Sequence, residues 1–189
     1  RVDGKALAKR LAGKTWIYTD DGEFFPPERV LGVRALRLVG ERRGYWERGR
    51  ERCPALCRAL GIAGEVGPGT VAAFLEEVGE EAKRSGDDAL MARTPALARM
   101  LPASYAFLGR LGGTSDPGRT PILCRERGPG AADGLRLRPA NDARIFVSDT
   151  PTREALFEPV GSFCLAAPGV GEEREPTARF LTGMGVRRL

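Results

Sequence analysis

The chain has 189 residues, 42% of them hydrophobic, which suits one large domain or two small ones. Its mean hydropathy is -0.27, and no apolar run approaches the roughly 20 residues a helix needs to cross a bilayer. The formal charge is +5 and there is no histidine, so a Cys–His nucleophile and a His-ligated metal are excluded by composition.

Arginine supplies nearly all of the positive charge, lysine occurring only at Lys5, Lys9, Lys14 and Lys83. With abundant Ala, Gly and Pro, this is the bias a GC-rich genome produces. The charge is nevertheless uneven. Between Arg34 and Arg58 stand eight arginines and only Glu41, Glu47 and Glu51, so this window carries the whole excess. The chain opens on Arg1, shows no signal-peptide pattern and stops at Leu189 directly after a recurring phrase, the expectation for a fragment of a larger cytoplasmic protein.

In chain order, residues 1–13 read as a short helix, with Leu7 and Leu11 one turn apart and Gly13 suited to its C-terminal stop. A hairpin follows in Lys14 to Gly32. Trp16-Ile17-Tyr18 is its first strand, Asp21-Gly22 suits a two-residue type I′ turn, and Pro26-Pro27 ends the second strand. Val30 to Val39 is a further strand or a short helix. Tyr45 to Leu60 has helical periodicity, with Trp46, Cys53, Leu56, Cys57 and Leu60 near one face, Pro54 as a break and Gly61 as the stop.

From Pro68 the pattern is helical to Leu111. Val71, Phe74, Leu75 and Val78 form one stripe; Leu97, Met100, Leu101, Tyr105, Leu108 and Leu111 form another. Gly112 to Gly118 reads as a linker. A second hairpin follows, with Ile122-Leu123-Cys124, a Gly/Pro/Asp turn and Leu135 to Leu137. Ile145-Phe146-Val147 is a third β-rich run, broken by Ser148-Asp149-Thr150-Pro151. A short helix near Arg153 to Phe157, an apolar run Phe163-Cys164-Leu165, an exposed loop over Ala166 to Glu175 and a closing helix over Pro176 to Met184 complete the chain.

The two hairpins stand in similar company. Each leads to a helix ending in a similar phrase, Ala59-Leu60-Gly61-Ile62 and Gly183-Met184-Gly185-Val186. The expected fold class is therefore α+β, with two β-hairpin-plus-helix units, over 1–66 and 114–189, flanking a helical block over 67–113.

Several features suggest chemistry, and each has a plainer explanation. Gly13-Lys14-Thr15 ends like a phosphate loop, but Ala8 stands where the loop needs glycine and the flanking order is helix–strand, reversed from that motif. Asp20, Asp21 and Glu23 crowd carboxylates around a surface turn. Without histidine, a zinc site needs Cys53, Cys57, Cys124 and Cys164 gathered from scattered elements; small core residues are the simpler expectation. No catalytic residue, cofactor or metal is expected in this chain. The candidate binding surface is Arg42, Arg43, Tyr45, Trp46, Arg48, Arg50 and Arg52, where guanidinium groups pair with phosphates and rings stack on bases. The alternative is a solvated helix face with Trp46 as a core anchor.

Taken together, the paired phrases resemble the repeated region of sacsin-like proteins. The order is a short strand, Asp-Gly, a strand with aromatics and proline, then Leu-Gly-Ile. EVGPGTVAAFLEEVGEEA, ASYAFLGRL and the later TPIL…DG…RP…ARIFVSD continue the resemblance, which covers most of residues 14–189. Such proteins carry a heat-shock-chaperone-type (GHKL) ATPase domain followed by long non-catalytic stretches. The resemblance implies that this chain lies downstream of the ATPase, since E-x-x-x-N is absent and Asp20-Asp21-Gly22-Glu23-Phe24 has Phe where the D-x-G-x-G loop has its second Gly. The expectation is a non-catalytic scaffold or interaction region of a GC-rich bacterium's protein, with a protein or the rest of the parent chain as partner, and no membrane. Nucleic-acid binding is the second reading.

Overall fold

The computed structural model describes residues 4–11, 13–127, 134–148, 150, 152, 163–167 and 171–189. The fold class is α+β. The chain divides into two compact units, Arg1–Gly67 and Pro68–Leu189. The expected helical block is thus not a separate piece: its helices pack with the strands that follow, because their apolar stripes have no other face to bury.

In the first unit, α1 (Gly4–Leu11) precedes a hairpin of β1 (Ile17–Tyr18) and β2 (Phe24–Phe25). The turn is not type I′, since that needs positive φ at two central residues and here only Gly22 has it, at 85°. Instead Gly22 N–H donates to the Thr19 carbonyl and Thr19 N–H to Glu23, giving a three-residue loop with glycine in the left-handed position. That extra residue frees Asp20, whose N–H donates to Tyr45 O at 2.8 Å.

The segment left as strand or helix contains both, β3 (Val30–Leu31) and α2 (Leu36–Val39). β3 runs parallel to β4 (Gly44–Tyr45) and, at Leu31, to Ala63. Between them, α3 (Glu47–Arg52) and α4 (Pro54–Leu60) are split at Pro54, which takes a first-turn position where no N–H is needed. Ile17, Val30, Cys57 and Ile62 form the core, with Trp16, Phe25, Trp46 and Leu60 packed against it. Cys53 departs from the expected inward face: the break at Pro54 rotates it out, leaving it exposed while Cys57 is buried.

In the second unit, α5 (Pro68–Ser85), α6 (Asp87–Arg93) and α7 (Leu97–Leu111) are followed by β5 (Pro121–Arg127) and β6 (Leu135–Pro139), an antiparallel pair. β7 (Ile145–Val147) does not extend that hairpin. It lies parallel to both β8 (Phe163–Ala166) and β9 (Arg187–Arg188), in a five-stranded sheet of order β6-β5-β8-β7-β9. The closing helix α8 (Arg174–Gly183) starts two residues before the expected Pro176 and buries Phe180 and Leu181. The expected turn at 128–133, Asp149 and the helix near 153–157 lie outside the described residues.

The two units share a strand arrangement. Asp20 N–H to Tyr45 O joins β1 to β4, and Gly32 N–H to Ala63 O at 2.9 Å joins β3 to the segment after α4. The order β2-β1-β4-β3-Ala63 thus matches β6-β5-β8-β7-β9. The helix stops match as well. Gly61 and Gly185 have φ of 72° and 92°. Gly61 N–H reaches Arg58 O and Ile62 N–H reaches Cys57 O; Gly185 N–H reaches Thr182 O and Val186 N–H reaches Leu181 O. Both are Schellman stops that turn the chain back to deliver a buried Ile or Val to the sheet.

The turn between β6 and β7 is held by Asp142. Its carboxylate accepts from Arg144 N at 2.9 Å and from the Arg144 guanidinium at 3.2 and 2.9 Å. The Arg144 side-chain bond, more than the smaller opposing cost of burial, holds this carboxyl below its usual range. A depressed folded pKa gives stability that is present above the unfolded value and lost as pH falls through the folded one. The wild type is therefore expected to melt above Asp142→Asn at neutral pH, and the gap to close below about pH 4. Melting curves at neutral and acid pH check this; a gap unchanged by pH would contradict it.

Candidate functional site

The first unit carries a cleft of about 430 Å³ lined by Tyr18, Thr19, Asp20, Gly22, Trp46, Arg48, Gly49, Arg52 and Cys53. Strand alternation builds one wall: Ile17 points into the core and is 2% exposed, so Tyr18 points out, at 59%. Phe24, opposite Tyr18 in the hairpin register and equally exposed, meets it with ring centroids 5.1 Å apart. The other wall is the first turn of α3. There the Trp46 ring lies flat on Gly49, where any Cβ would overlap the indole, so glycine fixes the ring's position.

Asp20 ties the walls together. Its Oδ2 accepts from Glu47 N at 2.7 Å and from Arg48 N at 3.2 Å, satisfying two N-terminal amides of α3 that Trp46 leaves uncapped. Its Oδ1 lies 3.7 Å from Arg48 Nε, an ion pair beyond hydrogen-bond length. Asp20 thus lines the cleft with Oδ1 still able to accept a hydrogen bond.

The seven residues of the expected surface separate. Trp46, Arg48 and Arg52 come together in the cleft. Tyr45 is fully buried in the unit, its hydroxyl donating to Gly40 O at 2.5 Å. Burial, and after it the Asp21 carboxylate, push this phenol up to about 12, so it stays neutral and is no stacking platform. Arg43 is buried, with Nη1 directed to Arg42 O, and Arg42 stands half-buried beside it. Arg50 lies across Gly32 and Gly64; a Cβ at Gly32 would come within 3.1 Å of its Cδ. Arg34, at the head of the basic window, bonds Asp21 at 2.6 Å and sits 5.7 Å over the Tyr45 ring. The seven residues therefore do not share one surface: Arg43 and Tyr45 are buried, while Arg48, Arg50 and Arg52 are exposed on α3.

Of the acidic trio, Asp20 turns to α3 and Asp21 to Arg34, so the carboxylates diverge. Among the described residues no three His, Cys, Asp or Glu side chains gather to hold a metal. Cys124 and Cys164 are buried on neighbouring strands of the second unit, where burial raises the Cys124 thiol well above its ordinary value.

No family model, curated protein or solved structure matches the chain. The likeness to sacsin-like proteins accordingly rests on the quoted phrases alone. No helix among the described residues is long and apolar enough to cross a membrane.

Sequence reasoning missed Tyr18, Asp20 and Cys53 as site residues. For Tyr18 the signal was present, since an outward aromatic beside a buried Ile in a hairpin is an exposed apolar feature. Asp20 stood out only as one of three crowded carboxylates, and its role was not readable because its partners lie 27 and 28 residues away.

Proposed function

We propose that this chain is a non-catalytic protein-interaction region, part of the scaffold of a larger sacsin-like protein with a chaperone-type ATPase. The observation that carries this reading is the continuous surface of Tyr18, Phe24, Trp46, Arg48 and Arg52. An exposed tyrosine, a half-buried tryptophan and exposed arginines around a cleft are the composition of interface hot spots. The twofold recurrence of hairpin, parallel strands and Schellman-stopped helix supports the likeness to a protein built from repeats.

Nucleic-acid binding is the second reading, and the fate of the arginines weighs against it. Arg34 is paired with Asp21 and Arg43 is buried, which leaves Arg48, Arg50 and Arg52 exposed along α3 and Arg58 exposed on α4. With the three arginines of α3 engaged, the slope of log affinity against log salt for an oligonucleotide is expected at about -2 to -3, against about -4 for five engaged arginines.

Two measurements test the proposal. Calorimetric titration of the chain with Mg-ATP is expected to give no binding heat, and a micromolar dissociation constant would sink the non-catalytic reading. A photoreactive residue at position 18 is expected to give cross-links sensitive to protease and resistant to nuclease, fewer in Arg48→Glu. Nuclease-sensitive products would promote the second reading.

A further inference from the structure

Resting on the interaction reading, we propose that the cleft between the first hairpin and α3 takes an acidic peptide segment, one that pairs carboxylates with Arg48 and Arg52 and lays an apolar side chain on Tyr18 and Trp46.

The argument is one of charge, shape and hydrogen-bond type. Arg48 is 79% exposed at its side chain and its contact with Asp20 is loose, so it turns to an incoming carboxylate at small cost. Arg52 lines the same cleft, and no carboxylate among the described residues pairs with it. Asp20 is the one acid in the lining, and its charge is already shared among two α3 amides and Arg48. The net field of the lining is therefore positive and local.

Asp20 also distinguishes the class of partner. A peptide backbone brings N–H donors, which Oδ1, held only by the loose ion pair with Arg48, accepts. A DNA backbone brings phosphate and sugar oxygens and no N–H donor to that oxygen. The volume of about 430 Å³ holds one or two side chains, as a peptide anchor needs. Tyr18 and Phe24, their rings in tilted contact and equally exposed, extend the apolar floor at the cleft's edge.

The test is fluorescence anisotropy of a labelled synthetic peptide alternating Glu with Leu and Tyr, titrated with the full chain. A second peptide carries Gln for Glu, and a third probe is a single-stranded oligonucleotide of equal charge. The Glu peptide is expected to bind, and the Gln peptide at least about tenfold more weakly. Arg48→Glu with Arg52→Glu, and separately Tyr18→Ala, are expected to weaken the Glu peptide at least about tenfold. Arg58→Glu with Arg110→Glu changes the net charge equally outside the cleft and is expected to leave binding intact. If the double reversal fails to fold by circular dichroism, Arg48→Gln with Arg52→Gln replaces it, with the same expectation at smaller amplitude.

Three results would overturn the proposal: no binding of the Glu peptide, equal loss in both double reversals, or tighter binding of the oligonucleotide at the same arginines. Self-association of the wild type that is lost with Arg48 and Arg52 would assign the cleft to a second copy and overturn it too. Protein cross-links from position 18 without peptide binding would retire the acidic class alone, leaving the interaction reading in place.

Discussion

Gly109→Ala is expected to lower the stability of the second unit by about 3 kcal/mol, at the upper end of what overpacking costs. Gly109 sits inside α7 where that helix meets the start of α8, and a Cβ there would overlap the Pro176 carbonyl carbon and oxygen. The obstacle is backbone, which has no rotamer to move into, so the two helices must separate. Among the described residues α7 against α8 is the most extensive helix contact of the unit, and the Tyr105–Phe180 ring contact lies across it. Gly69→Ala is the control. It lies in α5 with open space around its Cβ position and no positive φ, so alanine is expected to be neutral or to add up to about 1 kcal/mol by restricting the unfolded chain. Urea denaturation followed by far-ultraviolet circular dichroism separates the two. Equal midpoints for both variants would show that the α7–α8 approach is not as close as described.

Tyr105→Phe is expected to cost about 2–3 kcal/mol through one lost hydroxyl. Tyr105 is fully buried on α7. Its O–H donates to Pro121 O at 2.7 Å and accepts from Leu123 N–H at 3.1 Å, so one oxygen stitches the helix to β5. Phenylalanine keeps the volume and the stacked contact with Phe180, whose ring centroid is 5.9 Å away. What it loses is the partner of a buried N–H, whose full desolvation cost then appears. The urea midpoint is expected to fall with the slope unchanged, because the surface exposed on unfolding is the same. Burial raises this phenol far above its ordinary value, so the effect is expected to be equal at neutral and mildly alkaline pH. A loss below about 0.5 kcal/mol would mean that another group replaces the hydroxyl.

Local pattern was legible in the sequence wherever a short-range rule decides the outcome. The stripe Val71, Phe74, Leu75 and Val78 is buried on α5 because a period of 3.6 places those residues on one face. Gly61 and Gly185 stop their helices because only glycine enters the left-handed conformation freely. Pro54 splits α3 from α4, and Ile17-Tyr18, within the expected Trp16-Ile17-Tyr18, and Ile145-Phe146-Val147 supply strand, as their β-branched and aromatic character favours. The α+β class follows from these alone.

Pairing at a distance was decided only by the tertiary structure. That β7 sits between β8 and β9 rather than beside β6 depends on parallel crossovers, and an apolar run of three residues carries no record of its neighbour. The basic window shows the same limit. Spacing places Arg43, Arg48, Arg50 and Arg52 within a few residues of one another, yet the fold buries Arg43, lays Arg50 over two glycines and leaves Arg48 and Arg52 beside Tyr18. Charge in sequence is one-dimensional, whereas the field of a site is set by which carboxylates approach in space. Asp20, brought from the hairpin to the amides of α3, is the residue that turns an arginine run into a cleft.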